Sequence, residues 1–155
     1  MHRTEIITLL RQAPDDVEAA CRGLSNDQLR RPPQAEGEWS LLEIVCHLRD
    51  SAAEEGLRVR RLVEDDNPTL VSYDQDAWAV ERNYQGEDPQ KALTGLRAFL
   101  AGLAYQLEHL PDEAWERSGV HPESGPVTVR SRAEMEVEHA RAHLAQMLDV
   151  RAAVA

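Results

Sequence analysis

Ser40-Leu41-Leu42-Glu43-Ile44-Val45-Cys46-His47-Leu48 reads as a helix start running straight into an apolar stripe, and the rest of the chain can be placed around it. The Ser40 hydroxyl can accept from the backbone N–H of Glu43 while the Glu43 side chain reaches back to the cap, a reciprocal capping box. Trp39, just ahead of the cap, is positioned to staple onto Ile44. Leu41, Ile44, Val45, Leu48, Ala52, Val59, Leu62 and Val63 then recur at helical spacing as one buried stripe, until Asn67-Pro68 closes a long helix. His47 lies on the border of that stripe, where a side chain faces a crevice between helices.

Three further main helices flank this one. The first runs from Thr4 to Arg22, with Ile6, Ile7, Leu9, Leu10, Val17 and Ala20 turned inward, Pro14 as a kink site and Gly23 as its stop. Pro32, Pro33 and Gly37 mark a loop. Residues 67–88 form a polar and aromatic connection long enough to hold a short helix of its own, placed at Gln75 to Val80. The third main helix runs from Pro89 to Leu110, with Asp88 as N-cap and Pro111 ending it, and with Leu93, Leu96, Phe99, Leu100, Leu103 and Leu107 as its core face. From Pro111 to Arg130 the pattern becomes that of a loose hairpin turning at Pro122-Glu123-Ser124-Gly125. A second capping signature, Ser131-Arg132-Ala133-Glu134, opens the last helix, which continues to Arg151. The expected fold is all-α: one domain over residues 1–155, a four-helix bundle with long connections between the second and third and the third and fourth helices.

Composition narrows the function. A chain of 155 residues can bury a real core without disulfides or a structural metal, so a metal here is expected to serve function. The formal charge of −11, from 28 acids against 17 bases, repels polyanions and argues against nucleic acid as a partner. Arg58, Arg60 and Arg61 form one local basic cluster, but Glu64, Asp65 and Asp66 follow it, as at a solvated helix end. No apolar run has the length of a signal peptide or a membrane span, so a cytoplasmic protein with no membrane partner is expected. Cys21 and Cys46 make no disulfide framework.

Chemistry gathers at histidines. His139 and His143 are four apart in Glu138-His139-Ala140-Arg141-Ala142-His143-Leu144, so their side chains lie one above the other on one helix face. Ala133, Val137, Ala140, Leu144, Met147 and Leu148 form the neighbouring apolar face. Two imidazoles so spaced, with His47 as a third, can hold one divalent ion and leave a coordination position open, as a catalytic site requires. The plainer alternative is that these histidines only hydrogen-bond nearby acids on a rim. Ala140 stands where the H-E-x-x-H motif would carry its glutamate, so a zincin protease is excluded.

Glu43 lies one turn before His47, and Glu136 precedes His139 on the last helix; either could orient an imidazole or act on a water at the ion. Solvated acids on charged helices are the competing reading. Gln146 could bond a ligand or face outward, and Asp50 could support the site or lie at the surface. Cys46 points away from His47 and reads as a buried small residue. Tyr73, Trp78 and Tyr84 fit either the mouth of a pocket or caps on the core. His2, His109 and His121 belong to no comparable group.

Trp39-Ser40-x-x-Glu43-x-x-x-His47-Leu48-x-Asp50, with His139-x-x-x-His143-Leu144-Ala145-Gln146-Met147 about ninety residues later, resembles the DinB/YfiT-like superfamily of candidate metalloenzymes. Pro68-Thr69 and Tyr73-Asp74-x-Asp76-x-Trp78 are also similar to that group, so the resemblance spans most of the chain. It implies an up-down-down-up bundle with His47, His139 and His143 on one divalent ion, zinc or nickel. It also implies a transferase using a small-molecule thiol and an electrophilic substrate. A metal-dependent hydrolase and a non-catalytic metal-binding or ligand-binding stress bundle are the alternatives. Many relatives carry another histidine where this chain has Ala142, so any role of that side chain is absent. Oligomeric state is open, with a homodimer the expectation for long apolar helices.

Overall fold

A computed structural model describes residues 1–34 and 37–155. Its helices are α1 (Arg3–Cys21), α2 (Asn26–Arg30), α3 (Leu41–Glu64), α4 (Gln75–Glu81), α5 (Pro89–Glu108) and α6 (Val129–Val154). Two short strands, β1 (Ser118–His121) and β2 (Gly125–Thr128), pair antiparallel, and 3₁₀ turns occur at Tyr84–Gly86 and Asp112–Glu116.

Helix directions follow from which side chains meet. Arg11 binds Glu108 while Arg97 binds Asp15 and Glu18, so α1 and α5 run antiparallel. Met1 meets Glu134 and Arg151 meets the Ala20 carbonyl, so α1 and α6 run parallel. Arg49 lies over Gly95 and Gln106 donates to the Gly56 carbonyl, which makes α3 and α5 parallel. Along α3, His47, Ser51 and Glu55 meet His139, Glu136 and Arg132 in turn, so α3 and α6 run antiparallel. The order is up-down-down-up.

Two parallel helices in succession force the α3–α5 connection to recross the bundle. It does so pinned to α3: the Arg58 guanidinium lies over Tyr73, Tyr73 stacks on Trp78 at 4.0 Å, and Arg82 covers the other ring of that stack at 3.4 Å. Arg82 and the Tyr84 hydroxyl then both reach Asp50 on α3. Ahead of this ladder, the Leu70 N–H donates to the Val120 carbonyl and the Val120 N–H to the Pro68 carbonyl, tying the connection to β1. Gly119 makes that approach possible, since a Cβ there would lie 2.6 Å from Leu62 and 2.7 Å from the Pro68 carbonyl oxygen.

Several expectations need correction. The last helix starts at Val129, because Thr128 and Ser131 form the capping box; Glu134 is engaged instead by the Met1 ammonium. The hairpin delivers Thr128 in extended conformation directly into the helix, so no room is left for a later start. Phe99 and Leu148 are exposed. Phe99 falls just past the arc formed by Ala92, Leu96, Leu100, Leu103 and Ala104, whose two alanines let α5 pack closely. Pro14 is accommodated inside α1, which continues through it. Helix α2 was not expected, although Ser25-Asn26-Asp27-Gln28 forms its own capping box.

Candidate metal centre

The interface of α3 and α6 is polar along one seam, and the histidines occupy its end nearest the start of α3. The expected Ser40–Glu43 capping box is present and fixes the register of α3. His47, buried at 2 % exposure, projects toward His139 and His143, which are half-buried on successive turns of α6. One nitrogen from each ring lies within 4.8 Å of the others, and the His47 and His139 Nε2 atoms are 2.9 Å apart. A tetrahedral ion with bonds of about 2.0–2.1 Å would separate its nitrogens by about 3.3 Å, inside that range. The donor set therefore fits a divalent ion of imidazole preference.

Protonation favours the same use. Burial, with the neighbouring His139 and His143, pushes the His47 pKa down to about 3, and burial with His139 lowers that of His143. Both imidazoles are thus held neutral, as ligands must be. Two of the outer nitrogens, those of His143 and His139, are bound as well. The His143 Nδ1–H donates to Gln146 Oε1 at 2.8 Å, which leaves its Nε2 free for an ion. His139 Nδ1 lies 3.3 Å from the Ser51 hydroxyl, which itself donates to Glu136 Oε2 at 3.1 Å. A carboxylate acting through a hydroxyl thereby orients the second imidazole. Burial pushes the Glu136 carboxyl above its usual range, with His139 and Ser51 opposing.

The other candidates fall in different places. Glu43 accepts at Oε1 from the Ser40 N–H and from Gln85, and makes no hydrogen bond to an imidazole. Asp50 is buried and bonded to Arg49, Arg82 and Tyr84 rather than to an imidazole; desolvation would raise its carboxyl, yet these three partners together hold it below the usual range. Burial pushes the Cys46 thiol up to about 12, which suits a core residue. Tyr84 is a fully buried cap on the core. Trp39, expected only as a staple, lays its ring 4.9 Å from His47 and 6.4 Å from His143, walling the site.

Two cavities adjoin the cluster. One of about 530 Å³ touches His143 and is bounded by Trp39, Asp76, Gln146 and Asp149. The other, about 240 Å³, touches His47 and His139 and is bounded by Arg58, Tyr73, His121 and Arg132. Gln75 borders both. Sequence spacing gave His121 no constellation, because only the β1–β2 turn brings it beside the seam. Arg58, expected at a solvated helix end with Arg60 and Arg61, is buried at 8 % exposure, while Arg60 and Arg61 do form exposed pairs with Glu64 and Asp65.

This fold and site define a class: an up-down-down-up helical bundle able to hold one ion by three histidines from its antiparallel α3 and α6. The chain belongs to the DinB superfamily, whose family model matches residues 9–147. It is 30 % identical over 152 residues to a Geobacillus kaustophilus protein, covering 95 % of this chain and 83 % of the relative. It is 29 % identical over 124 residues to an Oceanobacillus iheyensis protein, covering 79 % and 70 %. Both relatives are named as candidate metal-dependent hydrolases. The solved structure of YfiT from Bacillus subtilis, described as having an unusual four-helix bundle topology, superposes with a TM-score of 0.88 at 23 % identity, covering 96 % of this chain and 85 % of YfiT. No helix is long and apolar enough to cross a membrane among the described residues.

Proposed function

We propose that the protein is a metal-dependent hydrolase of a small electrophilic substrate, with zinc or nickel held by His47, His139 and His143. The observation that carries this reading is the set of three imidazoles converging from two helices, with Gln146 and the Ser51–Glu136 pair fixing two of them from behind. The names of the relatives support the reaction class. When bound, the ion supplies Lewis acidity at an open position, lowering the pKa of a water or thiol brought there.

The protein's own residues do the rest. Trp39 covers the His47 and His143 rings on one side and limits water around them. Glu136 is 1 % exposed and borders neither cavity named above, so it acts through Ser51 and His139 as a positioning residue. Substrate enters from the cavities beside His143 or beside His47 and His139.

A second reading, transfer of a low-molecular-weight thiol to an electrophile, is favoured by one observation. The histidines are flanked by two cavities, which gives each of two reactants its own approach. The deciding experiment loads protein purified without a nickel column with zinc or nickel, and offers esters, amides and thiol-plus-electrophile pairs. Hydrolysis that chelation stops and added metal restores supports the first reading. Metal-dependent loss of thiol without hydrolysis moves the assignment to the second, and no metal-dependent turnover of any kind overturns both.

A further inference from the structure

Two cavities flank the three-histidine centre, and Gln75 alone among the described residues borders both. One cavity touches His143 and the other touches His47 and His139, while one nitrogen from each of the three rings lies within 4.8 Å of the others. The junction of the cavities therefore lies beside the centre, and Gln75 stands at that junction. Its neighbours hold it there. Tyr73 stacks on Trp78 at 4.0 Å with Arg58 over its ring, and Asp74 caps α4 by accepting from the backbone N–H groups of Asp76 and Ala77 at 3.0 and 3.1 Å. The backbone on both sides of Gln75 is thus fixed, while its side chain is exposed.

The Gln75 carboxamide is uncommitted. Gln146 spends its oxygen on His143 and Ser51 its proton on Glu136, whereas the Gln75 side chain makes no hydrogen bond among the described residues. Its NH₂ offers two donors and carries no charge. The surrounding charges point the same way. Around the cavity beside His47 and His139, Glu55 and Glu123 offset Arg58 and Arg132. The cavity beside His143 carries Glu38, Asp76 and Asp149, with no arginine or lysine among its described lining residues. Neither cavity draws in an anion.

We infer that Gln75 is the substrate-contacting residue of this centre, its carboxamide donating to the carbonyl oxygen of an uncharged acyl compound that lies across the junction. A carbonyl oxygen gains negative charge as water adds to its carbon, so a fixed donor at that oxygen stabilises the reacting state more than the starting one. That the group is an acyl carbonyl rests on the hydrolase reading, whereas the position of Gln75 between the cavities does not.

The test uses the whole chain with ¹⁵N-labelled glutamine, loaded with zinc and titrated with butyrohydroxamate, whose metal-binding group places a carbonyl beside the ion. The side-chain amide signals of Gln75 should shift saturably. Gln75→Leu, which keeps the bulk and removes the hydrogen bond, should weaken butyrohydroxamate roughly tenfold with zinc affinity unchanged. Succinic monohydroxamate, which adds a carboxylate to a chain of the same length, should bind roughly tenfold more weakly than butyrohydroxamate. Gln75 signals that stay still, a Gln75→Leu protein that binds like wild type, or equal or tighter binding of succinic monohydroxamate would overturn the proposal and leave the metal centre standing. Saturable Gln75 shifts in a protein that hydrolyses no ester or amide would sink the hydrolase reading and leave the contact standing, and failure to bind zinc would overturn both.

Discussion

Helices α3 and α6 face one another through two polar clusters of opposite character. At one end, His47, His139 and His143 converge on a point, burial holds His47 and His143 neutral, and Gln146 and Ser51 brace His143 and His139 from behind. Further along, Glu55, Arg58 and Arg132 are charged, buried and bonded mainly to one another. The histidines contribute little that the fold needs, and their preorganisation serves an outside ion. The charged cluster is bound up with the fold itself, since each member is the partner that makes burial of the others tolerable. The same seam therefore separates a place built for binding from a place where removal of one side chain damages the bundle.

The contrast can be broken most severely at His143. His143→Ala should lower zinc affinity by more than the ~10–100-fold expected for an outer partner, while circular dichroism shows the helices intact. Tight zinc binding by that variant would remove His143 from the centre. Glu55→Ala should do the reverse: about 3–5 kcal/mol of unfolding free energy is lost because two arginines stay buried without their carboxylate, measured by urea denaturation. A loss under 1 kcal/mol would mean that the cluster is solvated rather than structural. Milder changes behind the imidazoles, Gln146→Ala and Ser51→Ala, should each weaken zinc about 10–100-fold with stability nearly unchanged.

Acid sharpens the comparison from another side. The folded pKa of His47 lies well below the unfolded value, so between about 6.5 and 3 the unfolded chain binds the extra proton. Stability of the metal-free protein therefore falls as pH drops through that window, and it should fall less in His47→Gln, which has no imidazole to protonate. Burial raises Glu136 in the opposite sense, so the comparison between wild type and variant isolates the histidine. A His47 NMR titration with a midpoint near 6.5 would contradict the burial assigned to it.

The two clusters also differ in how far a sequence reveals them. His139 and His143 are legible because four-residue spacing maps directly to one helix face, and His47 because Ser40 and Glu43 announce its helix. The up-down-down-up order rests on resemblance until Arg97 with Asp15, and Gln106 with Gly56, give each helix a direction. Glu55 and Arg132 lie 77 residues apart, and each alone looks like a solvated charge on a helix. Arg58 beside Arg60 and Arg61 looks like one more member of a surface run, and only the Tyr73 stack and the Val71 carbonyl draw it inward. Glu43 is legible as part of a capping box and is found in one, its Oε1 accepting from the Ser40 N–H and from Gln85. The later start at Ser131 was misplaced because two overlapping capping patterns occur within seven residues, and the hairpin selects the earlier.

The central claim is that three particular histidines out of six form one ion site. Zinc titrated into metal-free protein carrying ¹⁵N-labelled histidine tests it most directly. The account predicts saturation at one equivalent per chain, with the ring nitrogens of His47, His139 and His143 shifting together and those of His2, His109 and His121 unmoved. Saturation without movement of His47, or no binding at all, would contradict it.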